Sequence, residues 1–319
     1  MRQKTYLVFG LAALLVLLCC LASLVNATET CQDGRKLEDG NSEDEYDEDS
    51  NDGYDEDDYD AYDGSDEARR ELGPCERDPL RPPFLDAGDL GLLFQELIEE
   101  FEEDPDMQVT VHSKDPWIIS VDNFLSEEEV EDLLAIAGDD FEPSQELSAQ
   151  KLKDGKYSSN SMETKHRTSE TKFCTDTCAK SSAVTAVQDR VSDILGIEED
   201  AMEFIQFVRY LPGQYYRQHH DSSAAYATMP MGHRVITVFM YLNTIERGGE
   251  TSFPRVNIKV KPVRGRAVIW TNVLDSNPDE RDMRTIHEAL PNDSEEIKIA
   301  ANFWLYQYDY RSYWPACTG

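Results

Sequence analysis

The sequence predicts a mainly β domain with flanking helices, built from two sheets packed as a sandwich or jelly roll. Three observations carry this. From Glu203 onward, short β-branched and aromatic runs alternate with Gly and Pro turns. Three stretches with helical apolar spacing precede them, so the helices support the sheet from outside. Neither Gly-x-Gly-x-x-Gly, a Walker sequence nor a Gly-x-Ser-x-Gly elbow occurs, which disfavours nucleotide-binding and α/β-hydrolase folds.

The chain has 319 residues and a formal net charge of −34. The charge is uneven: residues 37–68 hold 17 Asp or Glu and no Lys or Arg. No basic stripe is present, so nucleic acid is not an expected partner. Residues 1–27 read as a targeting segment. Arg2 and Lys4 precede the uncharged, apolar run Tyr6–Val25, which is about one bilayer thick. Its length favours a retained signal-anchor with the positive end in the cytoplasm, whereas Val25-Asn26-Ala27 suits signal-peptide cleavage. Either outcome places the remainder in the secretory lumen, and the anchored one on the endoplasmic reticulum membrane. Residues 28–83 read as an acidic, disordered linker, because they hold too little apolar surface to offset chain entropy. In an oxidising lumen, Cys31, Cys75, Cys174, Cys178 and Cys317 are disulfide candidates, and Cys174-x-x-x-Cys178 is the closest pair. Asn26-Ala-Thr28 and Asn292-Asp-Ser294 are glycosylation sequons.

Residues 84–108 form a helical lead-in. Leu92, Leu93, Phe94, Leu97, Ile98 and Phe101 lie close to helical spacing among acidic residues, either packing on the domain edge or meeting a partner. The main domain covers 109–319. It opens with a strand over Trp117–Val121 and a helix capped by Ser126 with Glu129 as its capping box, buried through Val130, Leu133, Leu134 and Ile136. Residues 144–179 are polar and read as a long loop or mobile hairpin, and long loops often act as lids. Ala183–Leu195 is a second amphipathic helix, ended near Gly196. Strands are then expected at Phe204–Tyr210, through the His219–Asp221 stretch, at Val235–Leu242, Ile258–Val260, Ala267–Trp270 and Ile297–Tyr308, with turns at Gly248-Gly249 and Arg264-Gly265.

The chemistry centres on His219-x-Asp221. In a strand, residues two apart share a face, so His219 and Asp221 point together and His220 points away. His287, far down the chain, could complete two imidazoles and a carboxylate with other positions open, the facial triad of non-haem Fe(II) oxygenases. Lys298 sits between Ile297 and Ile299, where a solitary charge is costly unless an anion meets it.

Several motifs stand in order: Arg167-Thr168-Ser169, Tyr210, Gly213-Gln214-Tyr215, His219-x-Asp221, Arg234-Val-Ile-Thr237, Tyr241-Leu242, Gly248-Gly249-Glu250-Thr251-x-Phe253-Pro254, Arg264-Gly265, His287 and Lys298. Together they resemble the catalytic domain of the prolyl 4-hydroxylases, Fe(II)- and 2-oxoglutarate-dependent dioxygenases, over roughly three-fifths of the chain. The resemblance implies a double-stranded β-helix and Fe(II) held by His219, Asp221 and His287. It implies 2-oxoglutarate bound by Lys298 in a pocket lined by Tyr210, Thr237 and Tyr241, and ascorbate as reductant. Tyr216, Arg234 and Trp304 match positions at the peptide groove, with Tyr216 and Arg234 expected to be catalytic and Trp304 to bind the substrate. Arg167 opens the loop that folds over a proline-rich or collagen-like peptide. Tyr306 stands where many relatives carry His, and Ile299 where many carry Trp. The activity implied is peptidyl-prolyl 4-hydroxylation with release of succinate and CO2. The alternatives are hydroxylation of another side chain such as lysine, or a non-catalytic acidic Ca²⁺-binding lumenal protein.

Overall fold

The computed structural model describes residues 75–151, 157–162 and 165–317, which form two main sheets with helices against one of them. The larger sheet has eight strands in the spatial order Gln108–Lys114, Trp117–Asp122, Ala267–Thr271, Arg234–Tyr241, Lys298–Tyr306, Gln206–Tyr210, Glu170–Phe173 and Glu142–Pro143. Every adjoining pair is antiparallel. The smaller sheet runs Ile258–Val260, Thr251–Phe253, His287–Ala289, Tyr216–His219, also antiparallel.

Strand alternation divides the interior into two cores. Along Arg234–Tyr241, Ile236, Val238 and Met240 face the helices, while Phe239 and Tyr241 face the smaller sheet. Lys298–Tyr306 divides the same way, with Ala301, Phe303 and Leu305 towards the helices. The core between the sheets joins Val208, Tyr210, Val268 and Trp270 to Phe253, Val260 and Ala289. This is the layered arrangement of a jelly roll. It leaves Lys298, Ala300, Asn302, Trp304 and Tyr306 on the face that looks between the sheets.

The helical lead-in packs as part of this domain. Helix Asp89–Glu103 buries Leu90, Phe94, Leu97 and Phe101, one stripe at helical spacing. Phe94 stacks on Trp117 with centroids 5.4 Å apart, and Phe101 meets Phe124 edge-on at 6.1 Å. Leu92 is left outside. The next helix, Glu127–Ala137, starts at the expected capping box: Ser126 accepts from the Glu129 amide, and Glu129 accepts from the Ser126 amide. Helix Ser182–Leu195 ends at Gly196, whose φ of 61° is the left-handed conformation that suits glycine. At Gly248, φ is 74° and a Cβ would lie 2.5 Å from the Pro291 carbonyl oxygen, so only glycine fits this turn.

Three expectations are revised. Of the two readings of 144–179, the hairpin holds, Glu146–Lys151 pairing with Tyr157–Met162; what is revised is its extent, since Glu170–Phe173 joins the large sheet. The sequon at Asn292 is folded inward. Its side chain is buried, its Nδ2 donates to the Glu296 carbonyl and its Oδ1 accepts from the Gly213 amide, so it is no accessible acceptor. Residues 75–83, the end of the expected linker, are held to the domain. Arg77 donates to the Pro230 and Met229 carbonyls and lies over the Tyr308 ring, Arg81 pairs with Asp309 at 2.6 Å, and Cys75 is bridged to Cys317. Residues 1–27 and the acidic tract 37–68 lie outside the described residues. Among the described residues no helix is long and apolar enough to cross a membrane.

The Cys75–Cys317 bridge closes a loop of 242 residues in sequence separation. Cys317→Ser should therefore lower stability by about 2–5 kcal/mol, chiefly by freeing the unfolded chain. Denaturant unfolding without reductant checks this; an unchanged midpoint would mean that the bridge adds nothing.

Candidate active site

Three donors converge at the open end of the smaller sheet. His219 ends the strand Tyr216–His219, His287 begins the strand His287–Ala289, and the two are direct register partners. Asp221 lies beyond the end of its strand, so alternation is not what aims it. Thr237 donates to its Oδ2 at 2.7 Å, and Arg234 donates to its backbone carbonyl at 3.2 Å. Asp221 Oδ1 then faces His219 Nε2 at 3.6 Å and His287 Nε2 at 3.5 Å.

The hydrogen bonds behind the imidazoles set their tautomers. His219 Nδ1 donates to the Arg217 carbonyl at 2.8 Å, and His287 Nδ1 donates to the Thr285 carbonyl at 3.0 Å. Each Nε2 lone pair is thereby left free to point at the cluster. Burial, reinforced by His287, holds His219 well below the usual imidazole range, so it is neutral and ready to ligate. Burial opposes ionisation of His287, but the Asp221 charge outweighs it and raises its pKa. Burial also works against the Asp221 charge. The two histidines and the Thr237 hydroxyl overcome it and hold Asp221 far below the usual carboxylate range. Two neutral-capable imidazoles and an ionised carboxylate, their donor atoms within 4.8 Å of one another, suit a divalent transition metal. His220 turns away: its Nδ1 accepts from the Ser222 amide and its Nε2 donates to the Asp282 carbonyl.

Lys298 is 1 % exposed and donates to the Gly249 carbonyl at 2.7 Å. Its Nζ lies 5.0, 5.6 and 5.4 Å from the ring centroids of Tyr210, Phe239 and Tyr241. Among the described residues no carboxylate forms an ion pair with it. Burial pulls its pKa down to about 7, with Glu250 offsetting part of the effect. Tyr210 and Phe239 also line a cavity of about 800 Å³ that contains His219, Asp221 and His287. Tyr241 stands behind that wall, its hydroxyl paired with Thr251 Oγ1 at 2.7 Å. Thr237 is likewise fully buried, and its hydroxyl is engaged by Asp221, so it is not free to reach a ligand.

Further residues line the same cavity. Tyr216 stacks on the His219 ring at 3.5 Å, and the Arg167 guanidinium lies over the tyrosine ring at 4.7 Å. Arg167 is fixed by Ser169 and Gln206, and Thr168 is joined to the Tyr215 backbone by three hydrogen bonds. Arg234 and Trp304 line the same cavity, the guanidinium stacked on the indole at 3.7 Å. Glu203, which the sequence analysis did not single out, holds it there. Its buried carboxylate accepts from Arg234 Nη2 at 2.7 Å and from the Tyr306 hydroxyl at 3.0 Å. Tyr306 thus points its hydroxyl into this pair and not into the cavity. Asn272 and Trp270 were also missed. They stand two apart, Trp270 in the strand Ala267–Thr271 and Asn272 one residue past its end, and no spacing motif marks them.

The fold and the donor set define a non-haem metal oxygenase site, two imidazoles and a carboxylate at the mouth of a jelly roll. A sequence profile of the 2OG-Fe(II) oxygenase superfamily matches residues 205–306, the stretch that carries all of these donors. Prolyl 4-hydroxylase 1 of Arabidopsis thaliana is 32% identical over 212 residues, 62% of this chain and 71% of that protein. Prolyl 4-hydroxylase subunit alpha-1 of Gallus gallus is 31% identical over 133 residues, 40% of this chain but only 25% of that longer subunit. The crystal structure of a viral collagen prolyl hydroxylase from Paramecium Bursaria Chlorella virus-1, complexed with 2OG, aligns with 26% identity. That alignment covers 59% of this chain and 95% of the viral one, with a TM-score of 0.45. The chain belongs to the prolyl 4-hydroxylase-like 2OG-Fe(II) oxygenases. It is an oxygenase of the procollagen-proline dioxygenase type, with Fe(II) and 2-oxoglutarate as cofactors and ascorbate the reductant typical of the family.

Proposed function

We propose that this chain hydroxylates proline at C4 in a proline-rich or collagen-like peptide, with His219, Asp221 and His287 as the Fe(II) ligands. When bound, the iron and 2-oxoglutarate supply the oxidising chemistry, in which O2 is consumed and succinate and CO2 are released. The protein binds, orients and shields. Lys298 receives the distal carboxylate of 2-oxoglutarate, with Tyr210 beside it. The observation that carries this reading is the buried Lys298 without an ion pair, set in an aromatic cage beside the cavity of the triad. A dicarboxylate answers the cost of that charge.

Tyr216, Arg234 and Trp304 form the walls that meet the peptide nearest the reacting atom, and Arg167 fixes the edge where the preceding segment folds over it. A polyproline II chain is pre-extended and suits a groove walled by aromatic rings. The remaining assignments follow the sequence: residues 1–27 as a membrane anchor or cleaved signal, and a lumenal catalytic domain on the endoplasmic reticulum membrane. The two disulfides among the described residues, Cys75–Cys317 and Cys174–Cys178, support an oxidising compartment.

The test is a product-mapped assay across proline-rich peptides with Fe(II), 2-oxoglutarate and ascorbate, reading succinate release and locating the added oxygen by mass spectrometry. Hydroxyl on proline with one succinate per oxygen is expected. Hydroxyl on lysine would keep the iron chemistry and overturn the substrate, and absence of coupled turnover on any peptide would overturn the reading.

A further inference from the structure

We infer that Asn272 is a positioning residue for the carboxylate of Asp221, acting through Thr237, and that with Trp270 it dictates which oxygen of Asp221 is left for the metal. This rests on the reading of His219, Asp221 and His287 as the metal site.

The strand pairing puts the parts side by side. Trp270 is the register partner of Thr237, and the Asn272 amide continues the ladder by donating to the Val235 carbonyl. Trp270, Asn272 and Thr237 share the face that looks between the sheets. They are 1 %, 0 % and 0 % exposed, so no water competes for their polar atoms.

The direction of the chain of hydrogen bonds follows from which groups can only donate. An indole N–H has no acceptor role. Trp270 Nε1 lies 3.1 Å from Asn272 Oδ1, which fixes the carboxamide with its oxygen towards the indole. The amide nitrogen must then face the other way, where it donates to Thr237 Oγ1 at 2.8 Å. With that approach taken by a donor, the Thr237 proton is turned to Asp221 Oδ2 at 2.7 Å. Oδ2 is thereby engaged and held in place. Oδ1 is the oxygen left facing both Nε2 atoms. Trp270 also rests its ring 4.8 Å from the His287 ring, so one side chain braces one ligand directly and a second through the relay. Partners behind metal ligands commonly change metal affinity by about 10- to 100-fold when removed.

The experiment uses the full chain and titrates Fe(II) anaerobically and Co(II) in air, with the absorption spectrum of the Co(II) form as a report on ligand geometry and circular dichroism as a check on folding. Asn272→Leu and Thr237→Val should each weaken metal binding about 10- to 100-fold and alter the Co(II) spectrum. The double variant should be little worse than either single one, because both break the same relay. Thr237→Ser, which keeps the hydroxyl, should recover most of the affinity. Trp270→Phe keeps the ring but frees the carboxamide to turn over, and should shift the spectrum in the same direction even if Asn272→Leu does not fold. Unchanged affinity and spectrum in folded Trp270→Phe and Thr237→Val would overturn the inference, as would fully additive losses in the double variant. Failure of the wild type itself to bind either metal would instead sink the reading of the triad, and the inference with it.

Discussion

Lys298→Met should abolish productive use of 2-oxoglutarate while leaving the fold intact. Methionine fills nearly the same volume, and removing a buried charge that no carboxylate of the described residues pairs with offsets the lost bond to the Gly249 carbonyl, so the fold should hold. Truncating one partner of a buried, hydrogen-bonded charge pair costs 2–5 kcal/mol, roughly a 30- to 4,000-fold loss of affinity for the dicarboxylate. Calorimetric titration of 2-oxoglutarate into the Mn(II)-loaded protein reads this directly. A protonation signature should accompany it. Burial puts the Lys298 pKa at about 7, below its value in the unfolded chain. The sign therefore differs from that of a lysine gaining a partner. As pH rises through 7 the folded protein gives up this proton while the unfolded chain keeps it to about pH 10, so the cost of burying the group, full below pH 7, fades across that window and stability rises with pH. A bound carboxylate restores the charge. At pH 8 the wild type should take up close to one proton, about 0.9, per 2-oxoglutarate bound, and Lys298→Met none. Calorimetry in buffers of different ionisation enthalpy measures that number, and equal uptake by both proteins would place the proton elsewhere.

The parts of this molecule that were legible in the sequence are those whose cause is local. The Ser126 box, the glycine stop after Leu195 and the long strand ending at Tyr306 each carry their own signal in spacing or residue type. So does the ordered set of motifs from Arg167 to Lys298. The three-residue strands Thr251–Phe253 and His287–Ala289 carry almost none. They are too short to show a period and exist because each has a partner far away in sequence. Asp221 was matched with His219 for the wrong reason: its strand ends first, and the aiming is done by Thr237 and Arg234. Glu203 could not be seen because its role exists only once Arg234, 31 residues later, folds against it. The segment from Cys75 looked like linker because its tie to the domain is made by scattered residues, Arg77, Arg81 and a cysteine, with no periodic apolar face.

The adjacent histidines give the sharpest test of the site. His219→Ala should lose Fe(II) binding and reduce coupled succinate release to background, because it removes one of three ligands and the two that remain are a single carboxylate and a single imidazole. His220→Ala should keep Fe(II) binding. Its cost falls on stability: the buried Ser222 amide loses its partner, about 1–3 kcal/mol for a group left unsatisfied, while the Asp282 carbonyl keeps the amide and hydroxyl of Thr285. The two residues are equally plausible as ligands by residue type, and burial lowers the pKa of both, so neutrality alone does not separate them. What separates them is the direction of the ring. His219 donates backwards to its own strand and leaves Nε2 for the cluster, whereas His220 has both nitrogens bound to backbone. A metal titration of the two variants, set beside their thermal midpoints, should therefore give opposite patterns. His219→Ala should be stable and metal-free, and His220→Ala metal-competent and less stable. The reverse pattern would move the ligand by one residue and turn the site's geometry inside out, since His220 faces Asp282 and not Asp221.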